Sequence, residues 1–393
     1  MLDSGPMTDT NLPDPPIPPP LRGAEIGSFA HNTIARRLPA IARRVLIENE
    51  LAPEAARAVA ALADEMPDAP LRPLRDPGAP DLALWAAYIA PYAGQSWLQA
   101  PWFVAETYFY RRILAATGYF QPGPGHRADP FALQKRLGLE HARPDPGPHD
   151  NDMAAAILGA LWGNQADLSL WPAGEGDGPG GAHLLADDTA AATALIARLA
   201  GAGARADIIL DNAGAELVND LALADALLAA GLRVILHAKP HPTFVSDALI
   251  ADVRLTVDWL AGRPGDAATV SARLGAALDA GRLELRDGWY WTSSLSGWEL
   301  PADLRADLAT SGLLISKGDA NYRRWLGDRR WPYDTPLGRA LAYLPAPMLL
   351  LRTCKSDVAA GLDPARMAEA IARDPQWITG GRWGVIQLTD GPR

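Results

Sequence analysis

The spacing of hydrophobic and polar positions changes near the middle of the chain. Between about residues 25 and 165, apolar residues recur every three or four positions, as in segment 33–50, which is typical of amphipathic helices. Pro39 lies inside this segment and is expected to kink or split its helix. The same pattern predicts further helices, over residues 53–66, 102–117 and 153–162. The first part of the chain is therefore predicted to be helical.

Beyond about residue 185, short apolar runs alternate with helical stretches. The runs predict strands, at residues 208–210, 234–236, 313–315, 348–351 and 385–388. A helix is predicted between the first two runs, from Ala215 to Ala230. Alternating strands and helices indicate a mostly parallel sheet with helices on its faces. We therefore predict an α/β three-layer sandwich with a mostly parallel central sheet, joined to a helical N-terminal part.

Three regions follow from these patterns. Residues 1–22 are rich in proline and are predicted to be a disordered tail. Residues 23–170 form the predicted helical part, and residues 171–393 the predicted α/β metal-binding domain. A loop rich in Gly, Asp and Pro, residues 174–181, lies near that boundary.

Composition limits the classes of partner. The formal net charge of −10 disfavours nucleic acid and anionic membrane surfaces. We find no apolar run of about 18 residues, so no membrane span is predicted. The N-terminus lacks the pattern of a signal peptide, and the single cysteine, Cys354, fits a reducing compartment. We therefore expect a cytoplasmic protein.

Oxygen-bearing side chains follow the predicted strands. Asp211 and Asn212 come directly after the first apolar run, and Asp247 follows the next one. Ligands bind beyond the carboxyl ends of strands in open α/β sheets, and carboxylate and amide oxygens suit Mg²⁺ or Mn²⁺. Capping of a helix or turn is the alternative interpretation of each residue.

Two further strand ends carry positive charge. Lys317–Arg323 contains an ammonium, a glycine that permits close backbone approach, a carboxylate, an amide and a guanidinium. Arg352–Lys355 contains a guanidinium and an ammonium on either side of a hydroxyl and a thiol. Such groups neutralise phosphate charge and orient an attacking water. A capped helix and a solvated charged loop are the alternatives for these two segments.

Other enzyme signatures fit poorly. The segment Gly201–Gly203 resembles the start of a nucleotide-binding loop but follows a predicted helix instead of a strand. His237 and His241 have zinc-like spacing without further histidine or cysteine ligands nearby. Ala213 stands where a haloacid-dehalogenase phosphatase would need its second aspartate.

Taken in order, these motifs resemble the damage-control phosphatase family, in particular its acidic-residue methyltransferase-like subgroup. The shared segments in the C-terminal half are Asp211–Asn212, Val245–Asp247, Lys317–Arg323 and Arg352–Lys355. In the N-terminal half they are Ser28–Pro39, Glu106–Arg112 and Leu161–Ser169. The resemblance covers residues 25 to 390, nearly the whole chain.

The resemblance implies a metal-dependent phosphatase that acts on small phosphorylated metabolites, such as fructose 1-phosphate, with Mn²⁺, Co²⁺, Ni²⁺ or Mg²⁺. It implies metal binding by Asp211, Asn212 and Asp247. From the charges at these strand ends we further predict catalytic roles for Asp211 and Asp319. It implies a substrate pocket formed by Glu216, Lys317, Asn321, Arg352, Lys355 and Arg382. Arg382 stands where the family has a Gly-Lys-Tyr-like segment, so this chain departs from the pattern there.

Two other functions remain open at this level. One is an S-adenosylmethionine-dependent protein glutamate O-methyltransferase, an activity ascribed to the subgroup. The other is a sugar-phosphate binder without turnover. Within the phosphatase hypothesis, either water or Asp211 itself attacks the phosphoryl group.

Overall fold

The structure is a computed structural model that describes residues 12–142, 152–163 and 183–391. Within these residues seven strands form one sheet. The strands are β1 (Leu184–Asp187), β2 (Arg205–Ile209), β3 (Arg233–Ala238), β4 (Leu283–Asp287), β5 (Leu313–Lys317), β6 (Met348–Thr353) and β7 (Gly384–Thr389). Their order across the sheet is β1-β7-β6-β5-β2-β3-β4.

The predicted, mostly parallel sheet is confirmed, with two exceptions at one side. Strands β2 to β6 pair in parallel, whereas β7 runs antiparallel to β6 and β1 pairs with β7 in parallel. The sequence patterns did not predict β1 or β4. Both are edge strands with partly exposed residues, so neither carries the continuous apolar run of a central strand.

Helices surround the sheet. They are α1 (Phe29–Asn32), α2 (Leu38–Glu48), α3 (Pro53–Glu65), α4 (Leu82–Ile89), α5 (Trp102–Thr117), α6 (Ala132–Glu140), α7 (Met153–Trp162), α8 (Thr189–Ala200), α9 (Ala215–Ala229), α10 (Ile250–Ala261), α11 (Asp266–Asp279), α12 (Ala302–Leu308), α13 (Gly318–Trp325), α14 (Leu337–Ala340) and α15 (Pro364–Arg373). The described part of the chain also contains short 3₁₀ turns, at Ala90–Tyr92, Trp289–Thr292 and Gly297–Glu299. None of the described helices is long and apolar enough to cross a membrane.

The two faces of the sheet bury different residues. Side chains alternate between faces along a strand, so Ile208 and Ile315 face a core shared with α7, α8 and α9. Their neighbours Ile209 and Leu314 face the other core, which is shared with α5, α13 and the N-terminal helices. The three-layer arrangement is confirmed. Helix α7, which was assigned to the helical N-terminal part, packs within the first of these layers.

Pro39 does not break its helix. A π turn, Thr33–Arg37, joins α1 directly to α2, and Pro39 is the second residue of α2. A proline ring would clash with the carbonyl oxygen four residues earlier in a regular α-helix. The wider π turn just before it removes that clash, so the helical path continues from Phe29 to Glu48.

Part of the predicted N-terminal tail is ordered. Leu21 is 2% exposed, its amide donates to Asp328 O (3.0 Å) and its carbonyl accepts from Trp102 N (2.8 Å). The Asp14 amide donates to Arg339 O at 3.0 Å. In the structure the apolar residues between the prolines, Leu12, Ile17 and Leu21, pack against the core. Residues 1–11, the boundary at 170/171, loop 174–181 and residues 164–169 of the shared segment lie outside the described residues.

Candidate active site

Two loops at the carboxyl edge of the sheet bring the predicted metal ligands together. The loops after β2 and β3 run antiparallel, with Ala248 N donating to Asp211 O at 2.8 Å. An isolated bridge places Asn212 opposite Asp247. This pairing joins residues that are far apart in sequence, and it places three oxygen-bearing side chains along one edge.

The loop after β3 has an unusual backbone. Phe244 has φ 46° and Val245 has φ 69°, both in the left-handed region. A β-branched residue rarely adopts this conformation, and such strain concentrates at functional sites. The ring of Phe244 lies 5.0 Å from that of Tyr110, so helix α5 of the N-terminal part holds the loop. The turn positions Ser246 and Asp247 on the lining of a cleft.

The cleft has a volume of about 210 Å³ and lies between the helical part and the sheet. From the α/β part it is lined by Asp211, Asn212, Phe244, Ser246, Asp247, Asp319, Ala320, Arg323 and Lys355. From the helical part it is lined by Phe29, Arg37, Trp102 and Glu106. Both parts of the chain therefore build one site.

Asp211 and Asp247 are buried carboxylates that line the same cleft, and their pKa values are raised although lysines lie near them. Burial, and next the carboxylates of Glu216 and Asp247, raise the pKa of Asp211 well above its usual range. Burial raises the pKa of Asp247 to about 6, although Lys239 opposes the shift. Lys239 Nζ lies 3.4 Å from Asp247 Oδ2, within ion-pair distance, and also donates a hydrogen bond to Leu210 O at 2.8 Å.

The oxygen atoms at this point suit a hard divalent cation. Asp247 Oδ2 is buried without a hydrogen-bond donor. Asn212 donates to Asp211 Oδ2 and to Glu216 Oε2, each at 2.8 Å, and its own Oδ1 accepts from Ser246 Oγ at 2.5 Å. Within the described residues no three His, Cys, Asp or Glu side chains form a closed ligand set. Two carboxylates and an amide leave room for water ligands, as Mg²⁺ and Mn²⁺ require.

Lys317 differs from its predicted role. It is fully buried and is absent from the cleft lining. Its ammonium lies 3.0 Å from Glu216 Oε1 and 3.0 Å from Asp220 Oδ1, and it donates to Ala160 O at 2.5 Å. Burial lowers the pKa of Lys317, but Asp220 and Glu216 outweigh burial and raise it. The ammonium therefore fixes Glu216, which in turn accepts from Asn212.

Arg352 also differs from the expected phosphate clamp. Its Nε donates to Asp319 Oδ1 at 2.8 Å, and its other nitrogens donate to Val358 O (2.5 Å) and Ser356 O (2.7 Å). Ser356 Oγ (2.9 Å) and Lys355 N (3.3 Å) donate to the same Asp319 oxygen. Arg352 does not line the cleft, because its guanidinium is used to hold Asp319 in place.

We expect Ser356→Ala to lower kcat about 3- to 10-fold with little change in KM, because it removes one hydrogen bond that positions Asp319. The same change in an Asp319→Asn background is expected to have no further effect, as for residues that act as a unit. Steady-state phosphate-release kinetics measure both variants. Ser311→Ala, at a serine that bonds to Arg205 O, is the matched control. A raised KM at unchanged kcat would show instead that this segment binds substrate directly.

The remaining predicted site residues differ in whether they line the cleft. Asn321 is buried and donates to Leu210 O (3.1 Å) and Lys317 O (2.9 Å), so it ties α13 to the end of β2. Arg382 pairs with Asp374 at 2.5 Å and lies outside the cleft lining. Lys355 lines the cleft as expected. The structure thus brings together five predicted residues: Asp211, Asn212, Asp247, Asp319 and Lys355.

Several lining residues had no assigned role in the sequence. Arg323 pairs with Glu106 at 2.6 Å and lies 3.5 Å from the ring centroid of Trp102, while its buried Nη2 has no hydrogen-bond partner. Arg37, on the π turn, lines the same wall. Glu106 lies among aromatic and apolar residues in the first half of α5, and such a buried carboxylate was a signal in the sequence for this wall.

Several known proteins are similar to this chain over most of its length. The family model described as the damage-control phosphatase ARMT1-like domain matches residues 33–371. Two curated proteins named damage-control phosphatase ARMT1 are each 30% identical, one from Mus musculus (95% of this chain, 98% of that protein) and one from Danio rerio (96% and 98%). A solved structure of a DUF89 family protein from Pyrococcus horikoshii has a TM-score of 0.49 at 15% identity, covering 90% of this chain and 96% of that one. The chain belongs to the damage-control phosphatase ARMT1-like family.

Proposed function

We propose that this protein is a metal-dependent phosphatase that hydrolyses small phosphorylated metabolites, including sugar phosphates such as fructose 1-phosphate. The observation that carries the proposal is the cluster of Asp211, Asn212 and Asp247 in a small cleft that also contains Lys355. Family membership supports a phosphatase of metabolite repair. A cleft of about 210 Å³ suits a small substrate.

Asp211, Asn212 and Asp247 would hold the divalent ion, for which Mn²⁺, Co²⁺, Ni²⁺ and Mg²⁺ are the candidates. When bound, such an ion polarises a phosphoryl oxygen and lowers the pKa of a coordinated water. The raised pKa values of Asp211 and Asp247 support this assignment, because a bound cation would stabilise both carboxylates in their ionised form.

The other cleft residues act on the substrate itself. The Lys355 ammonium neutralises the phosphoryl oxygens as a point charge, as lysine does in other phosphate sites. Burial alone would raise the pKa of Asp319, but Arg352 and Arg323 outweigh it and lower that pKa. Asp319 therefore stays ionised and accepts a hydrogen bond from the attacking water. Glu216 accepts a hydrogen bond from Asn212 and is itself paired with Lys317, so these two residues hold Asn212 in position.

Direct attack by water and attack by Asp211 predict different stereochemical outcomes at phosphorus. Direct attack is a single in-line displacement of the alcohol by water, which inverts the configuration. Attack by Asp211 releases the alcohol and forms an aspartyl phosphate, which water then hydrolyses at phosphorus, so two displacements retain the configuration. A phosphorothioate substrate that is chiral at phosphorus, hydrolysed in isotopically labelled water, distinguishes the two routes.

Methyl transfer lacks comparable support. The segment Gly201–Gly203 lies in the turn that leads from α8 into β2, with Gly203 at φ +60°. This turn is at the amino end of the strand, whereas the cleft is at the carboxyl end. The glycines therefore cannot form a cofactor loop at the cleft.

A phosphate-release screen against sugar phosphates and metals tests the proposal. We expect turnover that disappears with a chelator and returns with added Mn²⁺ or Co²⁺. Lys355→Ala is expected to lower kcat/KM about 100-fold, by analogy with removal of one transition-state donor. Arg366→Ala, which removes an exposed cation that pairs with Glu369 at 3.3 Å outside the cleft lining, is the matched control and should keep near-wild-type kinetics. Metal-dependent ligand binding without turnover would favour the non-catalytic binder.

A further inference from the structure

A pocket of about 490 Å³ lies on the helical part of the chain. It is formed by α3, by α5 and by the loop between α3 and α4, and it shares no lining residue with the cleft. Its walls combine arginines with small apolar side chains, and they include Arg72, Arg75, Arg112, Ala58, Ala115 and Ala116. We call this space the Arg75 pocket. The proposed function uses none of these residues.

The three guanidinium groups of the Arg75 pocket share one carboxylate, that of Glu65. Arg112 Nη2 lies 3.2 Å from Glu65 Oε1, and Arg72 Nε lies 3.9 Å from Glu65 Oε2. Arg75 has no ion pair within the residues that the structure describes. Among these residues no carboxylate lines the pocket itself. Three cations and one anion leave two positive charges in excess, in a chain whose formal net charge is −10.

Other acidic side chains near the pocket do not remove this excess. Asp76 follows Arg75 in the sequence, but it is 2% exposed and accepts from Arg111 Nη2 at 2.7 Å. Arg75 is exposed, so its guanidinium lies at the surface while the Asp76 carboxylate lies inside. Glu50 and Glu54 line an adjacent groove and are not part of the pocket lining.

The donors of the Arg75 pocket are accessible to a ligand. Arg72 and Arg75 are both exposed, and within the described part of the chain neither side chain donates a hydrogen bond. The backbone that carries them is held in place, because Leu71 and Leu74 are buried and the Tyr108 hydroxyl donates to Arg72 O. Each guanidinium is a planar fork of N–H donors, which suits the oxygens of a carboxylate or a phosphate.

The number and grouping of the charges favour a phosphoryl group over a carboxylate. A phosphate monoester carries close to two negative charges at neutral pH and concentrates them on its terminal oxygens. Guanidinium forks that line one pocket can bind several of these oxygens together. A monocarboxylate would balance only half of the excess charge. A dicarboxylate has the required charge but divides it between two separate groups.

We propose that the Arg75 pocket is a second ligand site, for the phosphoryl dianion of a small phosphate monoester. Arg72 and Arg75 donate to the phosphoryl oxygens, and Arg112 adds its charge while Glu65 holds it in place. The organic part of the ligand lies on the apolar surface of the alanines. Because no carboxylate lines the pocket, binding there requires no metal ion and leads to no hydrolysis.

Isothermal calorimetry with phenylphosphonate tests the site. This probe is a phosphoryl dianion above its second pKa, and a phosphatase does not hydrolyse its P–C bond. The titrations use the full chain with a chelator and the substitution Lys355→Ala, so that the cleft lacks both its metal and its cation. In this background we expect Arg75→Ala to weaken binding roughly 10- to 100-fold, as for the loss of charge-assisted hydrogen bonds. Arg254→Ala, at an exposed arginine of α10 outside both linings, is the matched control and should leave the affinity unchanged.

A second pair of variants tests the space instead of the charge. Ala58 is exposed and lines the pocket, so Ala58→Trp should fill it and weaken binding at least about tenfold. Ala61→Trp, at an exposed position of the same helix outside the lining, should bind as the background protein does.

Two results would overturn the site. One is an affinity for phenylphosphonate that neither Arg75→Ala nor Ala58→Trp changes, because the ligand would then bind elsewhere. The other is no binding to the Lys355→Ala protein at about 10 mM, since several charge-assisted hydrogen bonds should give a higher affinity. Neither result depends on turnover, so the proposed phosphatase activity is tested separately by phosphate release.

Discussion

Asp211→Asn is expected to abolish phosphate release while leaving the protein at least as stable as the wild type. The loss of turnover should reach about 10²-fold or more, because the variant lacks a carboxylate of the proposed metal site. Stability should not fall, because burial and the neighbouring Glu216 and Asp247 carboxylates make the Asp211 charge unfavourable in the folded state. Such a trade of activity against stability is common at active sites.

Thermal unfolding with and without Mn²⁺ provides the measurement beside the activity assay. A ligand that binds the folded state raises Tm by mass action, so the wild type should gain stability from the metal and the variant should not. Asp225→Asn is the matched control, since Asp225 is a buried carboxylate on α9 that pairs with Arg273 at 2.5 Å, outside the cleft lining. It should lose about 1 kcal/mol of stability and keep its turnover. Near-wild-type phosphate release by folded Asp211→Asn would refute the site assignment.

Gly318→Ala is expected to disrupt the site, because the new Cβ atom would collide with the Asp211 side chain. A Cβ atom at this position would lie 1.8 Å from Asp211 Oδ2, and the backbone has φ +77°. The sequence hypothesis that this glycine permits close backbone approach is therefore correct in its geometry. The added methyl group must displace the Asp211 carboxylate, so we expect turnover to fall about 100-fold or more, in line with the loss of a key transition-state contact.

Gly265→Ala is the matched control, and it distinguishes the effect of a steric clash from the cost of a left-handed backbone conformation. Gly265 has φ +74° and no atom within 4 Å of its hypothetical Cβ. Gly265→Ala should therefore show only the conformational penalty, about 1–2 kcal/mol of unfolding free energy. Chemical denaturation of both variants measures the difference, which we expect to be larger for Gly318→Ala. Equal loss of stability and full activity in both would mean that Asp211 moves aside without consequence.

The central strands and the chemistry at their ends could be predicted because both are local properties of the chain. Buried strands such as β5 and β6 are continuous apolar runs, and the polar residues directly after them fall at the carboxyl edge of a parallel sheet. The kinds of side chain at these ends, carboxylates, amides and cations, indicated metal and phosphate chemistry. The edge strands β1 and β4 were not predicted, because partly exposed strands lack a continuous apolar run.

By itself, the sequence determined the layer architecture, the order of the motifs and the types of ligand at the site. Only the tertiary structure decided which side chains face the cleft. Lys317 and Arg352 are fully buried behind it, where carboxylates and carbonyl oxygens accept their hydrogen bonds and offset the cost of burying the charge. The pairing of Asn212 with Asp247 depends on two left-handed residues that no periodicity reveals. The wall formed by Phe29, Arg37 and Trp102 comes from distant helices, and such long-range packing is a property of the folded chain, not of local pattern.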